Sequence, residues 1–341
     1  MSVFHGGINK ETIIDFSVSI NPLKPDFLKG IFKLGEEYSS KYTYIEWLEE
    51  DFKNVFGEDC EIFAGATEVL QIIGFKSLED AEVIIPTPNY GEYERVAQFN
   101  ENKIYKVSIV DFDNRRLDYE RILRLSKKIR TKSRKKMYVM LSNPNNPTGI
   151  YAELDDLVRE LENYGVTCII DESFIDFVSE ELKGKYNLDN FENVIRIRTF
   201  TKILGYPGIR IGYAKSKKFS EFLKQYRSPW GVGSLGYLAI QEIIKNYSKF
   251  LEFKVLTQRY ISQERERFQR YAYFPSSVNY FVIKVGNSFD NTKEFLNFIN
   301  NNGMHVRTMY DFGMESFVRI GLKNANENAK LIQKLVECRK E

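Results

Sequence analysis

The chain has 341 residues, with 49 Lys and Arg against 47 Asp and Glu, so its formal net charge is only +2. This balance argues against an overall attraction to nucleic acid or to an anionic membrane, and small molecules are the expected partners. Hydrophobic residues make up 43% of the chain, enough for a sizeable core, and the length predicts one large domain and a smaller one.

The cysteines and the N-terminal sequence bear on the expected environment of the protein. Cys60, Cys168 and Cys338 leave one thiol unpaired in any disulfide scheme, and His5 and His305 lie at no usual zinc-ligand spacing from them. The chain does not start with a basic segment followed by an apolar run, and no apolar stretch approaches the ~18 residues of a membrane span. These features predict a soluble cytoplasmic protein without a metal site.

Short apolar runs alternate with amphipathic stretches along the first two thirds of the chain. The runs at 83–85, 137–141, 166–170 and 194–197 are each followed by a polar or a glycine- and proline-containing segment. Residues 153–164 lie between two of these runs and place their apolar side chains on one helical face. The alternation predicts an α/β fold, with a mostly parallel sheet and helices on both of its faces.

The C-terminal third has a different pattern. Residues 280–285 and 316–320 have the character of strands, and 292–301 that of a helix. The charged stretch 247–268 predicts a long helix that joins this part to the rest. We therefore predict a smaller α+β domain at the C-terminal end. The predicted parts, in chain order, are an N-terminal segment that joins the small domain and the substrate side (1–40), a large domain (41–245) and the small domain (246–341).

Three polar motifs follow predicted strands in the order that a pyridoxal-phosphate site needs. SNPNNPTG contains Asn146, Asp171 ends the run VTCIID, and Lys202 follows in RTFTKILG. A lysine amine can hold the cofactor aldehyde as a Schiff base, an aspartate can pair with the pyridinium nitrogen, and an asparagine can bond the phenolic oxygen. Ligands of parallel sheets bind beyond the carboxyl ends of the strands, so the motifs are expected to meet there. The chain is predicted to be an enzyme.

Two residues of this trio also have a plainer interpretation. Taken alone, Lys202 would be a surface lysine, and Asp171 a turn residue that caps the next helix. A carboxylate at the end of a fully apolar run is costly to bury without a partner, however, and a protonated pyridine nitrogen would supply that partner.

A phosphate group and a flat ring need further contacts. Thr199, Thr201 and Arg210 surround the lysine in sequence, and their hydroxyl and guanidinium groups suit a phosphate. Tyr90, in PTPNYGEY after a predicted strand, could stack on the ring, although an aromatic residue in this position is more often part of the core.

The segment GATEVLQII offers a second contact for the phosphate. Gly65 allows a close approach of the backbone, and Ala66 and Thr67 open a predicted helix whose free N–H groups can bind an anion. The alternative is that Thr67 is an ordinary N-cap residue.

Together, these motifs resemble those of the fold type I pyridoxal-phosphate enzymes, the aminotransferase class I/II superfamily, over about residues 5–335. The resemblance implies pyridoxal 5'-phosphate as cofactor. Relatives often have a glycine where this chain has Phe63, so the approach of the chain to the phosphate is expected to differ there. It also implies that Lys202 forms the Schiff base, that Asp171 pairs with the ring nitrogen and that Asn146 bonds the phenolic oxygen. The residues implied to hold the cofactor phosphate or to stack on the ring are Thr67, Thr199, Thr201, Arg210 and Tyr90.

Two branches of the superfamily compete, the histidinol-phosphate aminotransferases and the L-threonine-O-3-phosphate decarboxylases of cobalamin biosynthesis. The segments HGG with DFSVSINPL, DESFIDF and SPWGVGSL resemble those of the decarboxylases. The aminotransferases usually have a tyrosine where this chain has Phe174. That tyrosine donates a hydrogen bond to the phenolic oxygen, and a phenylalanine cannot. Neutral drift within an aminotransferase would also explain the difference.

The resemblance further implies residues on the substrate side. Arg307 and Arg319 match arginines that bind anionic groups, which suits a substrate with a carboxylate and a phosphate, although either could instead form a surface ion pair. His5 and Asn21 match N-terminal positions that line the substrate side in the decarboxylases. Tyr42 roughly matches a tyrosine that reaches the cofactor phosphate of a neighbouring subunit, but the proline and aspartate that follow it in the family are missing here.

The sequence therefore predicts a pyridoxal-phosphate-dependent decarboxylase of L-threonine O-3-phosphate. The alternative is an aminotransferase of the histidinol-phosphate and 2-oxoglutarate type, and a pyridoxal-phosphate-binding regulator without catalysis is a remote third. The expected partner is a small phosphorylated amino acid or amino alcohol phosphate, and family practice implies a homodimer.

Overall fold

The computed structural model describes residues 6–8, 13–286 and 291–338. The strands are β1 (Ile14–Asp15), β2 (Cys60–Phe63), β3 (Glu82–Thr87), β4 (Lys103–Ser108), β5 (Val110–Asp111), β6 (Arg116–Leu117), β7 (Met137–Ser142), β8 (Val166–Asp171), β9 (Val194–Thr199), β10 (Gly212–Lys215), β11 (Tyr280–Lys284), β12 (Met304–His305), β13 (Arg307–Thr308) and β14 (Phe317–Gly321).

The α-helices are α1 (Ile31–Tyr38), α2 (Glu49–Phe56), α3 (Ala66–Ile72), α4 (Glu92–Ala97), α5 (Glu120–Arg130), α6 (Asp155–Asn163), α7 (Glu180–Lys183), α8 (Phe200–Ile203), α9 (Ser220–Gln225), α10 (Ser234–Lys245), α11 (Tyr247–Arg267), α12 (Thr292–Asn301) and α13 (Ala325–Glu337). Shorter helical turns lie at Asp26–Leu28, Ile45–Leu48, Ile73–Ser77, Ile175–Phe177, Pro207–Ile209 and Tyr310–Phe312. No helix in the described part of the chain is both long enough and apolar enough to cross a membrane.

The main sheet has seven strands in the order β2-β10-β9-β8-β7-β3-β4. Strands β9, β8, β7, β3 and β4 are parallel, and β10 runs antiparallel to both of its neighbours. Every residue of β7 is buried, as expected of a parallel strand that is covered on both faces. The predicted α/β fold with a mostly parallel sheet is confirmed.

Helices cover both faces of this sheet because apolar side chains alternate along its strands. Val83 and Ile85 pack with residues of α3, α4 and α9, whereas Ile84 packs with residues of α5 and α6 on the other face. The predicted amphipathic helix at 153–164 is α6, and its Val158 and Leu161 are buried.

The C-terminal residues form a separate three-stranded antiparallel sheet, β11-β14-β13. The strands predicted at 280–285 and 316–320 are β11 and β14, and the helix predicted at 292–301 is α12. The long charged helix predicted at 247–268 is α11. The division of the chain at residues 40 and 245 stays a prediction.

Residues near the N-terminus connect the two sheets. The Phe16 N–H donates to the His305 carbonyl, and the Phe16 carbonyl accepts from Gly321 N–H, each at 2.7 Å. Further along, the Asn21 N–H donates to the carbonyl of Lys202 at 3.1 Å. This connecting segment, residues 16–21, therefore touches both β14 and the short helix α8.

A buried carboxylate holds the ends of β8 and β9 together. Glu172, directly after Asp171, accepts hydrogen bonds from Nε of Arg198 at 2.6 Å and from Nε of Arg196 at 3.1 Å. Burial alone would raise the pKa of Glu172, but the charges of Arg196 and Arg198 lower it. Successive residues of a strand point to opposite faces, so this ion-pair cluster lies on the face of the sheet away from Asp171.

Candidate active site

A cavity of about 230 Å³ lies at the carboxyl ends of β7, β8 and β9, where β14 and the connecting segment approach. It brings together residues that are far apart in sequence. The sequence-predicted residues that line it are Ala66, Thr67, Tyr90, Asn146, Asp171, Thr199, Thr201, Lys202, Arg210, Arg307 and Arg319.

Lys202 reaches the cavity from α8, the short helix that follows β9. Its Nζ lies 5.6 Å from the centroid of the Phe174 ring. Burial, together with the positive charges of Arg319 and Arg210, lowers the pKa of Lys202 to about 8, and Asp171 opposes this shift. A larger fraction of the amine is therefore neutral near pH 8 than in an exposed lysine, which suits a nucleophile or a proton carrier.

Asp171 ends β8 and is buried. One carboxylate oxygen accepts from the Tyr93 hydroxyl and the other from the Ser173 N–H, each at 2.9 Å. Burial raises the pKa of Asp171, although these hydrogen bonds and Lys202 oppose the change. Asp171 forms no ion pair within the described residues, so a cation placed in the cavity would be a favourable partner.

The groups predicted to hold a phosphate lie at the ends of β2 and β9. The Thr199 and Thr201 hydroxyls are 2.9 Å apart, and Nη2 of Arg210 lies 3.5 Å from Oγ1 of Thr67. Gly65 does not line the cavity, but it lies directly against the Arg210 guanidinium.

Thr67 is not the N-cap residue of the helix, so its alternative role is wrong. Helix α3 begins at Ala66, and its N-cap residue is Gly65, without a side-chain cap. The Thr67 hydroxyl therefore remains available to the cavity. Arg210 has a φ of 44°, in the left-handed region that a non-glycine residue rarely adopts. Backbone strain of this kind is concentrated at functional sites.

Asn146 and Arg319 contact each other directly. Nη1 of Arg319 donates to Oδ1 of Asn146 at 2.6 Å, and Nη2 donates to the Ser17 carbonyl at 3.4 Å. Because its Oδ1 accepts from Arg319, Asn146 can offer its NH₂ group to an acceptor in the cavity. Burial lowers the pKa of Arg319 to about 10, and the guanidinium lies over the Tyr280 ring at 5.0 Å.

Besides Gly65, two described residues of the predicted site, Asn21 and Tyr42, are not among those that line the cavity. The Asn21 side chain is buried and donates to the Ile203 carbonyl and to Thr257, so it stabilises the connecting segment instead. Tyr42 is exposed, and its ring packs on Trp230 at 4.9 Å. His5 lies outside the described residues.

Sequence reasoning missed several residues of the site. Tyr93 supports Asp171, and Asp311 forms an ion pair with Arg307 at 2.6 Å. Ser17 and Ser19 also line the cavity, and the buried Ser19 hydroxyl has no hydrogen-bond partner among the described residues. Ser17 and Ser19 are two residues apart in DFSVSINPL. In an extended segment this spacing places both side chains on the same side, and it could have indicated that they face the cavity together.

Pyridoxal 5'-phosphate fits these residues. The buried carboxylate of Asp171, which forms no ion pair among the described residues, suits a protonated ring nitrogen. Thr67, Thr199, Thr201 and Arg210 suit a phosphate. A side chain at position 65 would encroach on this cradle, since an ideal Cβ there would lie 3.0 Å from Nη2 of Arg210. The fold and this set of residues define a pyridoxal-phosphate enzyme of fold type I.

Comparison with known proteins identifies the family. The profile of aminotransferase class I and II matches residues 57–337, and the chain belongs to this family. The chain is 28% identical over 296 residues to the histidinol-phosphate aminotransferase of Prosthecochloris aestuarii, covering 84% of this chain and 78% of that protein. It is 29% identical over 347 residues to the adenosylcobalamin biosynthesis bifunctional protein CobDQ of Leptospira interrogans, covering 96% of this chain and 39% of that protein.

Solved structures support the fold. The L-threonine-O-3-phosphate decarboxylase of Porphyromonas gingivalis superimposes with a TM-score of 0.73 at 21% identity, covering 96% of this chain and 100% of that chain. The family match and the residues of the cavity agree on the cofactor, pyridoxal 5'-phosphate.

Replacement of Gly65 is expected to weaken cofactor binding. Gly65 has a φ of 83° and a ψ of 174°, a region that is accessible almost only to glycine. In Gly65→Ala the backbone must shift and displace Arg210, so we expect the dissociation constant for pyridoxal phosphate to rise roughly tenfold or more. Fluorescence titration of cofactor-free protein measures this constant.

The matched control is Gly233→Ala. Gly233 has a φ of −71°, and a Cβ there would meet no atom within 4 Å. This variant should bind the cofactor like the unchanged protein. Equal affinity in Gly65→Ala and Gly233→Ala would contradict the assignment of the phosphate cradle.

The lowered pKa of Lys202 predicts the pH dependence of cofactor capture. Only the neutral amine attacks an aldehyde, so the rate of capture by cofactor-free protein should rise with pH and level off above about pH 8. Stopped-flow absorbance measures the rate. In Arg319→Gln one of the charges that lower the pKa is removed, and the inflection should move to higher pH. An inflection near the ordinary lysine pKa of about 10.4 in the unchanged protein would refute the prediction.

Proposed function

We propose that the protein decarboxylates L-threonine O-3-phosphate to 1-amino-2-propanol O-2-phosphate. The observation that carries the proposal is that two arginines, Arg307 and Arg319, line the same cavity as Lys202. Two guanidinium groups match a substrate with both a carboxylate and a phosphate. Histidinol phosphate has a phosphate but no carboxylate.

Phe174 gives a second reason to favour the decarboxylase. Its buried ring lies against Tyr280 at 4.9 Å and lines the cavity close to Lys202. The related aminotransferases usually have a tyrosine at this point, as the resemblance of the sequence implies. Because Phe174 lacks that hydroxyl, the side-chain amide of Asn146 is the main polar group that we expect to bond the phenolic oxygen of the cofactor.

The residues of the cavity suit the steps of a decarboxylation. Pyridoxal phosphate, when bound, supplies an electron sink for the electron pair left on Cα as carbon dioxide departs. Arg319 would hold the substrate's carboxylate, and Arg307 would hold its phosphate. The orientation of the carboxylate decides which bond to Cα breaks. Asp171 would keep a proton on the ring nitrogen. Lys202 would then deliver a proton to Cα, where hydrogen replaces the lost carboxylate.

A histidinol-phosphate aminotransferase is the second candidate. Relatives with this name cover most of the chain, as in Prosthecochloris aestuarii. The same arginines could bind the two carboxylates of glutamate, and Lys202 could move the proton of Cα. Only the orientation of the substrate over the cofactor would separate the two reactions.

Carbon dioxide release from L-threonine O-3-phosphate tests the proposal. The cofactor-loaded protein, given this substrate without a keto acid, should release carbon dioxide and form the amino alcohol phosphate. Lys202→Ala should lose at least about a hundredfold in rate, since a proton carrier typically contributes 10²–10⁴-fold. If no carbon dioxide is released, but histidinol phosphate with 2-oxoglutarate yields glutamate, the aminotransferase is the correct assignment. If neither reaction occurs, both proposed enzyme activities fail.

We also propose that the protein forms a homodimer through an exposed aromatic surface made of Tyr42, Tyr44, Trp47 and Trp230. Trp47 is 72% exposed and Trp230 56% exposed. The rings pack in two pairs, Tyr42 on Trp230 at 4.9 Å and Tyr44 on Trp47 at 4.8 Å. Exposed clusters of large aromatic side chains are typical of protein interfaces.

Light scattering on the cofactor-loaded protein tests the dimer. The expected mass is twice the 40.0 kDa of one chain, and Trp230→Asp should shift the population towards the monomer. Phe75→Asp is the matched control, because Phe75 is 57% exposed but packs on Phe99 outside this surface. A monomeric unchanged protein, or equal dissociation in both variants, would refute the proposed interface.

A further inference from the structure

Tyr93 contacts the carboxylate of Asp171 from outside the cavity. It belongs to α4, it is only 1% exposed, and it is not among the described residues that line the cavity. Its hydroxyl donates to Oδ2 of Asp171 at 2.9 Å. Burial and the negative charge of Asp171 raise the pKa of Tyr93, so the hydroxyl keeps its proton and remains a donor. Tyr93 can therefore act on a bound cofactor only through the residues that it touches.

The ring of Tyr93 also packs against the residue that is predicted to stack on the cofactor. The rings of Tyr90 and Tyr93 lie edge to face, with centroids 5.7 Å apart and an interplanar angle of 88°. Tyr90 packs against the hydrophobic cluster that contains Tyr93. These contacts fix the direction of the Tyr93 ring, and with it the direction of the hydroxyl towards Asp171.

One proton would be shared between the ring nitrogen of the bound cofactor and the carboxylate of Asp171. With the proton on the nitrogen, the pair is charged and the ring is a strong electron sink. With the proton on the carboxylate, the pair is neutral and the ring is a weaker one. A buried site favours the neutral pair, because both charged groups lose their hydration. Hydrogen bonds that are donated to the carboxylate favour the charged pair.

Two residues donate hydrogen bonds to Asp171. The Ser173 N–H donates to Oδ1 and the Tyr93 hydroxyl to Oδ2. Burial raises the pKa of Asp171, whereas the hydrogen bonds from Ser173 and from Tyr93 lower it. Ser173 lines the cavity and Tyr93 does not, so the Tyr93 hydroxyl can be removed without changing a group that lines the cavity. Further titratable groups that interact electrostatically with Asp171 are Lys202, Tyr90 and Tyr280.

We propose that Tyr93 is a positioning residue that keeps the shared proton on the ring nitrogen of bound pyridoxal phosphate. Its hydrogen bond stabilises the carboxylate form of Asp171, and this makes Asp171 the weaker base of the pair. The role concerns the cofactor alone. It holds for a decarboxylase and for an aminotransferase alike, so it does not depend on the substrate proposed above.

Nitrogen-15 NMR of the protein loaded with pyridoxal phosphate that is labelled at the ring nitrogen tests the proposal. The chemical shift of a pyridine nitrogen changes strongly when it gains a proton, and no substrate is needed to measure it. In the unchanged protein the signal is expected at the position of a protonated ring. In Tyr93→Phe it should move most of the way to the position of an unprotonated ring. The lost hydrogen bond to a charged group lowers the ratio of charged to neutral pair by at least about tenfold.

The matched control is Tyr138→Phe. Tyr138 is buried in the same hydrophobic cluster as Tyr93, its hydroxyl donates to the Ser77 carbonyl at 3.0 Å, and it is not among the described residues that line the cavity. The variant removes a buried tyrosine hydroxyl and its hydrogen bond without removing a contact of Asp171, so the signal should stay at the position of a protonated ring. Circular dichroism and the absorbance of the cofactor verify the fold and the loading of each variant.

Several results would overturn the proposal. They are an unprotonated ring in the unchanged protein, a protonated ring in Tyr93→Phe, and an equal change of the signal in Tyr93→Phe and Tyr138→Phe. Loss of cofactor binding in Tyr93→Phe would also overturn it, because Tyr93 would then be needed for the site to form rather than for the position of a proton. None of these results bears on the choice of substrate, which carbon dioxide release tests separately.

Discussion

The active site depends on the alignment of the ends of β8 and β9, and the buried carboxylate of Glu172 maintains it. Glu172 holds Arg196 and Arg198 of β9, and its N–H donates to the Ile197 carbonyl at 2.8 Å. The neighbouring residue Asp171 points to the opposite face, into the cavity. One residue thus joins two neighbouring strands on one face of the sheet, and the preceding residue presents its carboxylate to the cavity on the other. The buried carboxylate of Glu172 must be paired with these arginines, because a lone buried charge is very unfavourable.

Charge is distributed unevenly around the cavity. Lys202, Arg210, Arg307 and Arg319 carry positive charge, and Asp171 and Asp311 carry negative charge. Burial disfavours both kinds of charge, which explains why the pKa of Lys202 and that of Arg319 are lowered while that of Asp171 is raised. A cofactor with a phosphate and a protonated ring nitrogen, and an anionic substrate, would supply the missing partners.

The parts of the site that follow strands were predictable from the sequence. Asn146, Asp171 and Lys202 each come shortly after an apolar run, and parallel strands bring such positions to one edge of the sheet. Residues whose position depends on tertiary contacts were not predictable in this way. Asn21 belongs to an irregular segment, and nothing in its neighbourhood indicates that its side chain turns towards Thr257 rather than into the cavity. The pairing of Asp311 with Arg307 depends on a turn whose shape has no periodic signal.

The connecting segment also has a consequence for the order of events during biosynthesis. The Ser17 carbonyl accepts from Arg319, a residue 302 positions further along the chain, and Phe16 pairs with Gly321. Contacts of such long range form late, because the intervening chain must first be made and ordered. Residues 16–21 are synthesised early, but they can complete their pairing only after β14 has left the ribosome. A nascent chain halted before residue 319 would contain Lys202 and Asp171 but would lack the side of the cavity that Arg319 lines.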